Sequence, residues 1–286
     1  MSRAALFTLW LLHWLPLPAV RAAGTLLGTL LHALAGARRR VAERNLSLCL
    51  PEQTAPARAR LVRDVVRHFA QSVVDRALLW HGSADRLRRL IALHGAHHLQ
   101  ALEGKPVILL APHFVGMDAA WTRLTLERKM AGTYARQTNP VFDAALYRGR
   151  TRFNGALALA RQDGVRAALR ELKSGLPLYI LPDMDFGARD AVFAPFFGVP
   201  AATVTAASRM ARITGARVMP VVSKMTPQGY EVTIHPPWDN FPGASDDEDA
   251  QRMNAFIEAE VRVNLDQYHW LHKRFKTRPP GEAQVY

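Results

Sequence analysis

The chain has 286 residues, 49% of them apolar, enough for one large α/β domain or two small ones. Lys and Arg outnumber Asp and Glu by 37 to 24, a formal charge of +13, so the expected partner is anionic: nucleic acid, phospholipid headgroups or a phosphorylated substrate. Cys49 is the single cysteine, which excludes an intrachain disulfide and a cysteine-built metal site.

Residues 4–35 are the most apolar stretch, broken by Pro16 and Pro18 and closed by Arg38-Arg39-Arg40. A cleaved signal peptide needs small residues around its cleavage site, and Arg21 interrupts the best candidate. A regular membrane span needs about 20 apolar residues, and neither half reaches that. A proline-broken span or a helical hairpin in the interface fits better, with the triple arginine holding its flank on the cytoplasmic side. Gly24 and Gly28 have the spacing of a small-residue dimer contact.

Residues 57–80 carry Leu61, Val65, Val66, Phe69, Val73, Val74, Ala77 and Leu78 at helical spacing. Arg58, Arg60, Arg63, Arg67 and Arg76 are assigned to the opposite, solvated face, which would also suit anionic headgroups. His94, His97 and His98 hint at a metal site, but no carboxylate pattern accompanies them.

The stretch KPVILLAPHFVGMDAA, residues 105–120, organises the chain. Residues 107–110 read as a buried strand, and residues 119–128 as a helix. His113 and Asp118 therefore sit just past the carboxyl end of a strand, the edge where open α/β sheets place their chemistry. Five residues on a helix turn through about 500°, so the two side chains share no helical face. They can meet only if His113 lies in the preceding turn, which Pro112 and Gly116 permit. Asp118 would then fix the imidazole tautomer and leave the other nitrogen as a base. The alternative is a satisfied core histidine and a helix-start carboxylate.

Residues 132–136 suggest another strand, leading into Arg136 and Asn139. Arg148, Arg150 and Arg152 alternate; in extended chain all three would point one way and suit phosphate, whereas a solvated charge run is equally compatible with them. A helix over residues 164–173 and a strand over 176–181 lead to Pro182-Asp183-Met184-Asp185. This repeats the first site: strand, proline, then acidic residues. Asp183 and Asp185 could bind a metal, grip a sugar hydroxyl, orient an arginine or form an Asx-type turn. Residues 193–199 read as an apolar loop lining a pocket or touching lipid. Then come a helix over 203–213, strands over 217–224 and 230–235 around a Pro227-Gln228-Gly229 turn, and a helix over 246–263. Aromatics and bases in residues 268–274 have the mixture of an interfacial anchor.

No G-x-S-x-G, Walker loop or dinucleotide fingerprint occurs. A histidine–carboxylate pair without a nucleophile suits direct attack by a substrate hydroxyl on an activated acyl group. On these residues the chain resembles the lysophospholipid acyltransferase superfamily, whose signature is His, four residues, then Asp or Glu. It looks more like the bacterial lipid A biosynthesis (lauroyl/myristoyl) acyltransferases. The similarity runs through RRRVAERNLSLCLPE, APHFVGMD, RQTNPVFD, RGR, LPDMDFG, VFAPFFGVPAAT and YHWLHKRFKTRP.

The resemblance implies an α/β fold with a mixed central sheet flanked by helices, as in glycerol-3-phosphate acyltransferases. It adds a membrane anchor over residues 1–40 and a catalytic domain over 41–286. It implies an inner-membrane enzyme at the cytoplasmic face, moving an acyl chain from acyl carrier protein to a hydroxyl on an acyl chain of a phosphorylated, Kdo-bearing lipid A precursor. Neither cofactor, metal nor nucleic acid is expected. His113 matches the base and Asp118 its partner, and Arg150 and Asp183 match other functional positions. Arg136, Asn139, Arg150, Asp183 and Asp185 are assigned to substrate binding. Some relatives carry Glu in place of Asp118, and the PDMDFG form looks more like enzymes that add the first secondary chain. The alternatives are an acyl-CoA-dependent glycerophospholipid or phosphatidylinositol-mannoside acyltransferase, and an inactive membrane-associated lipid-binding protein.

Overall fold

A computed structural model describes residues 3–286. A break at Pro16 separates α1 (Arg3–Leu12) from α2 (Leu17–Leu34), with Pro18 in the first turn of α2. Next come α3 (Gly36–Cys49) and the long α4 (Ala55–His81), which Thr54 caps by accepting from Ala57 N. The boundary expected at residue 40 falls inside α3. Then follow α5 (Ala84–Leu90), β1 (Ile91–His94), α6 (Ala96–Gln100), β2 (Val107–Leu110), α7 (Met117–Glu127), β3 (Ala131–Tyr134), α8 (Pro140–Arg150) and β4 (Leu157–Ala160). A 3-10 turn at Arg161–Asp163 leads into α9 (Arg166–Lys173) and β5 (Leu178–Ile180). The chain closes with β6 (Ala191–Phe196), β7 (Val199–Val204), α10 (Ala206–Thr214), β8 (Arg217–Thr226), β9 (Gly229–Ile234) and α11 (Asp246–Val263).

The main sheet has seven strands in the order β1-β9-β8-β2-β5-β3-β4. It is mixed, as expected: β8 and β9 form an antiparallel hairpin and the other neighbours are parallel. All four β2 side chains are buried. Val107 and Leu109 enter the core under α4 and α7, while Ile108 and Leu110 enter the core under α9, α10 and α11. Burial on both faces explains why this strand reads as a continuous apolar run. Each such side chain contributes about 1.5–3 kcal/mol.

Two expectations are corrected here. Residues 193–199 are not a loop: Phe197 and Gly198 adopt φ of 51° and 74°, a turn that joins β6 and β7 as a hairpin. Phe196 and Phe197 are buried against Tyr268, Trp270 and Phe275. Residues 268–274, Lys273 apart, are therefore turned into the core and are not an interfacial anchor, and Arg274 is 1% exposed, donating to Ala202 O and Thr203 Oγ1. The Gly24/Gly28 pair is also used inside the chain. A Cβ at Gly24 would lie 2.7 Å from Gln71 Cα, and one at Gly28 2.9 Å from Arg67 Cα, so both glycines permit close packing of α2 on α4.

Candidate functional site

β2 and β5 are adjacent and parallel, pairing Ile108 with Leu178 and Leu110 with Ile180. Ala111 N donates to Ile180 O at 2.9 Å, so the two chains stay side by side as they leave the sheet through Pro112 and Pro182. One step further, His113 meets Asp183. The His113 backbone N–H donates to Asp183 Oδ2 at 2.9 Å, and its Nδ1 lies 2.6 Å from Oδ1. Asp183 is 1% exposed. Burial pushes its carboxyl up, but the charge and hydrogen bonds of His113 outweigh burial and hold it well below the usual carboxylate range. The pair fixes the tautomer with hydrogen on Nδ1. Nε2 makes no hydrogen bond among the described residues, and the His113 side chain keeps 13% exposure.

The expected His113–Asp118 hydrogen bond does not form. Asp118 lies in the first turn of α7 and receives two guanidinium groups. Arg76 donates through Nε and Nη2 to Oδ2 at 3.0 and 2.9 Å; Arg150 donates through Nε and Nη2 to Oδ1 at 3.1 and 2.6 Å. Burial opposes ionisation of Asp118, but Arg150 and Arg76 hold it well below the usual carboxylate range. His113, in the turn before the helix, faces β5 instead. Arg76 is therefore not on a solvated face: its side chain is 18% exposed.

The three alternating arginines do not share a direction, because α8 is helical up to Arg150. Arg148 is exposed. Arg150 reaches Asp118. Arg152 donates to Leu79 O and Gly82 O at 2.9 and 2.8 Å, tying down the carboxyl end of α4. Gly149 is a packing glycine, since a Cβ there would lie 2.4 Å from the Trp80 ring. That close approach of α8 to α4 brings Arg150 and Arg76 onto one carboxylate. A small cleft runs beside Arg150, lined by Met117, Trp121, Tyr134, Tyr179 and Leu181.

Other assigned positions lie outside this centre. Asn139 caps α8, accepting from Phe142 N at 3.0 Å. Arg136 is exposed and paired with Asp163 at 2.7 Å. Asp185 is occupied by the carboxyl-terminal segment: it accepts from Thr277 N and Oγ1 at 2.6 and 2.7 Å and from Gly187 N at 3.0 Å. The His97 and His98 rings lie 3.9 Å apart with their planes tilted by 49°, and no cluster of three or more potential metal ligands occurs among the described residues.

The sequence reading missed the wall behind His113. His269 N donates to His113 O at 3.0 Å, and Val115 N donates to Gln267 O at 2.9 Å. The His269 and His272 rings stack 5.5 Å apart, each within 6.5 Å of the His113 ring. Burial pushes His269 well below its ordinary value and His272 down to about 4, so both are neutral near pH 7. Tyr268 is fully buried, its ring edge-on to Phe114 and Trp270. The signal for Arg76 was its place in the apolar run SVVDRALLW, where a solvated face leaves no reason for an ion pair's worth of charge.

Residues 3–277 match the family described as bacterial lipid A biosynthesis acyltransferase. The lipid A biosynthesis palmitoleoyltransferase and lauroyltransferase of Escherichia coli (strain K12) are each 30% identical over 283 residues, covering 97% of this chain and 92% of theirs. The myristoyltransferase of the same organism is 33% identical over 265 residues, covering 91% and 82%. Among solved structures, the 1-acyl-sn-glycerophosphate acyltransferase PlsC from Thermotoga maritima covers 87% of this chain and 99% of its own, with TM-score 0.43 and 16% identity.

Proposed function

The chain belongs to the bacterial lipid A biosynthesis acyltransferases, and from that premise we propose that it moves a fatty acyl chain from acyl carrier protein to a hydroxyl on an acyl chain of a phosphorylated, Kdo-bearing lipid A precursor, at the cytoplasmic face of the inner membrane. The observation that carries the mechanism is the His113–Asp183 pair at 2.6 Å, with Nε2 left without a partner among the described residues.

His113 Nε2 takes the proton of the acceptor hydroxyl as its oxygen attacks the thioester carbon. Asp183 keeps hydrogen on Nδ1 and stabilises the imidazolium that forms. Collapse of the tetrahedral intermediate breaks the carbon–sulfur bond, and the imidazolium returns its proton to the departing thiolate. The ester and the free thiol are the products, and the base is regenerated. An acyl-enzyme is not needed. The lone thiol, Cys49, is buried in the core at the carboxyl end of α3, and burial raises its pKa.

Asp118 serves as a strut. One carboxylate between two arginines leaves a net positive charge at the same edge of the sheet, suited to an anionic acceptor. The neutral His269 and His272 put no competing cation against His113.

The test is to incubate the purified protein with mixed acyl carrier protein thioesters and the lipid A precursor, then weigh the lipid. A gain of one acyl chain is expected. Transfer only from acyl-CoA to a glycerophospholipid would overturn the reading.

A further inference from the structure

We infer that the α1–α2 hairpin does not cross the membrane but lies along one leaflet, on the same side as the catalytic domain, with phospholipid covering its outer face. The inference rests on the membrane attachment proposed above, but not on the identity of the acyl donor or acceptor.

The hairpin is fastened at both ends and in the middle. At the turn, Arg86 of α5 donates to His13 O and Leu15 O. In the middle, Arg21 reaches into the domain: Nε to Asp75 Oδ2 at 3.2 Å, Nη2 to Gly229 O at 2.8 Å and Nη1 to Thr226 O. At the far end, Arg39 of α3 donates to His32 O at 2.6 Å. Between these points α2 runs antiparallel to α4. Leu17 packs with Leu78, Gly24 lies on Gln71, and Gly28 lies on Arg67.

If α2 spanned the bilayer, one of its ends would sit about 27 Å away across the hydrocarbon. Here the Pro16 end is bonded to α5, and at the other end Leu31 packs against the core that holds Val62 and Phe114. Nor can α4 follow α2 into lipid, because it carries Arg63, Asp64 and Arg67 on its surface and Arg76 in the site.

The outer faces show what covers them. Among the described residues, eight of 13 exposed large apolar side chains lie on the hairpin. Phe7, Trp10, Leu11 and Trp14 follow i, i+3, i+4, i+7 spacing along α1 and its end, and Leu26, Leu30 and Leu34 follow i, i+4, i+8 on α2. That is a concentrated apolar surface on a soluble-type domain. Two tryptophans sit within it, and Arg39 and Arg63 both face His32 at its end. Apolar ridges, interfacial tryptophans and flanking arginines match an anionic leaflet.

The experiment first floats the full-length protein with phosphatidylethanolamine/phosphatidylglycerol vesicles; failure to float would refute attachment itself. Sidedness is then read by a membrane-impermeant maleimide on sealed vesicles of both orientations. One variant carries a cysteine in a short hydrophilic tag before Met1, and the other is Glu103→Cys on the exposed domain surface; Cys49 is buried. The two cysteines should react in the same orientation. Reaction in opposite orientations would establish a crossing helix and overturn the inference. In parallel, Trp14→Glu with Leu30→Glu should weaken vesicle partitioning about tenfold or more, with thermal unfolding unchanged. Unchanged partitioning, together with loss of a dimer in solution, would assign the face to a second copy and also overturn it.

Discussion

Asp183 and Asp118 are both buried at the carboxyl edge of the sheet, and both are held well below the usual carboxylate range. Their partners set them apart. Asp183 meets one imidazole and a backbone N–H, a hydrogen-bonded pair with a free nitrogen pointing onward. Asp118 meets two guanidinium forks that use both of its oxygens. The first arrangement can move a proton. The second holds α4, α7 and α8 together and has no proton to move, since arginine stays charged. Closeness in sequence does not choose a histidine's partner; the register of neighbouring strands does.

The largest effect that can break this contrast is on turnover. His113→Ala should cost roughly 10²–10⁴-fold or more in kcat, with the circular dichroism spectrum unchanged. Asp183→Asn keeps the shape but loses the tautomer-fixing charge, and should cost about 10²-fold or more. Asp118→Ala should act through stability. It strands two partly buried arginines, and thermal unfolding should show a loss on the order of 3–5 kcal/mol. Arg150→Lys should reproduce part of that loss, because an ammonium cannot make the fork to Oδ1.

Much of this was legible in the sequence, and what was not has physical causes. The strand ending in Pro112-His113 and the strand ending in Pro182-Asp183 were both readable from their apolar runs. Their adjacency was not, because β5 follows β3, β4 and α9 in the chain yet lies between β2 and β3 in the sheet. Once Leu110 is set against Ile180, the same offset places His113 on Asp183. Arg76 was misplaced because its helix is amphipathic on average, while its last turns are enclosed on several sides. The 268–274 segment was misread because aromatics with bases look alike at a lipid interface and in a core where Arg274 finds its partners on β7. Asp185 matched the motif as well as Asp183 did, but the local sequence carries no sign of Thr277.

Smaller effects sharpen the same contrast. His272 is lowered by burial to about 4, below its unfolded value of 6.5, so the fold favours its neutral form. Its contribution is fully present above pH 6.5 and is lost as pH falls towards 4, a change on the order of 3 kcal/mol by linkage. Chemical denaturation followed between pH 7 and 4 should show the decline, and His272→Phe should flatten it. Asp183 and Asp118 are depressed instead, so their contributions persist above pH 4 and fade only in stronger acid. Least affected should be Asp185→Asn, which weakens the tether to Thr277 by about 1–2 kcal/mol; its kcat should stay within a few-fold of the parent while thermal stability drops.

The most direct test of the central claim is the imidazole N–H proton spectrum of the purified enzyme in detergent. A downfield resonance assigned to His113 Nδ1–H, by its absence in His113→Gln, should disappear in Asp183→Asn and persist in Asp118→Asn. Loss of that resonance in Asp118→Asn, with its survival in Asp183→Asn, would contradict the pairing on which the mechanism rests.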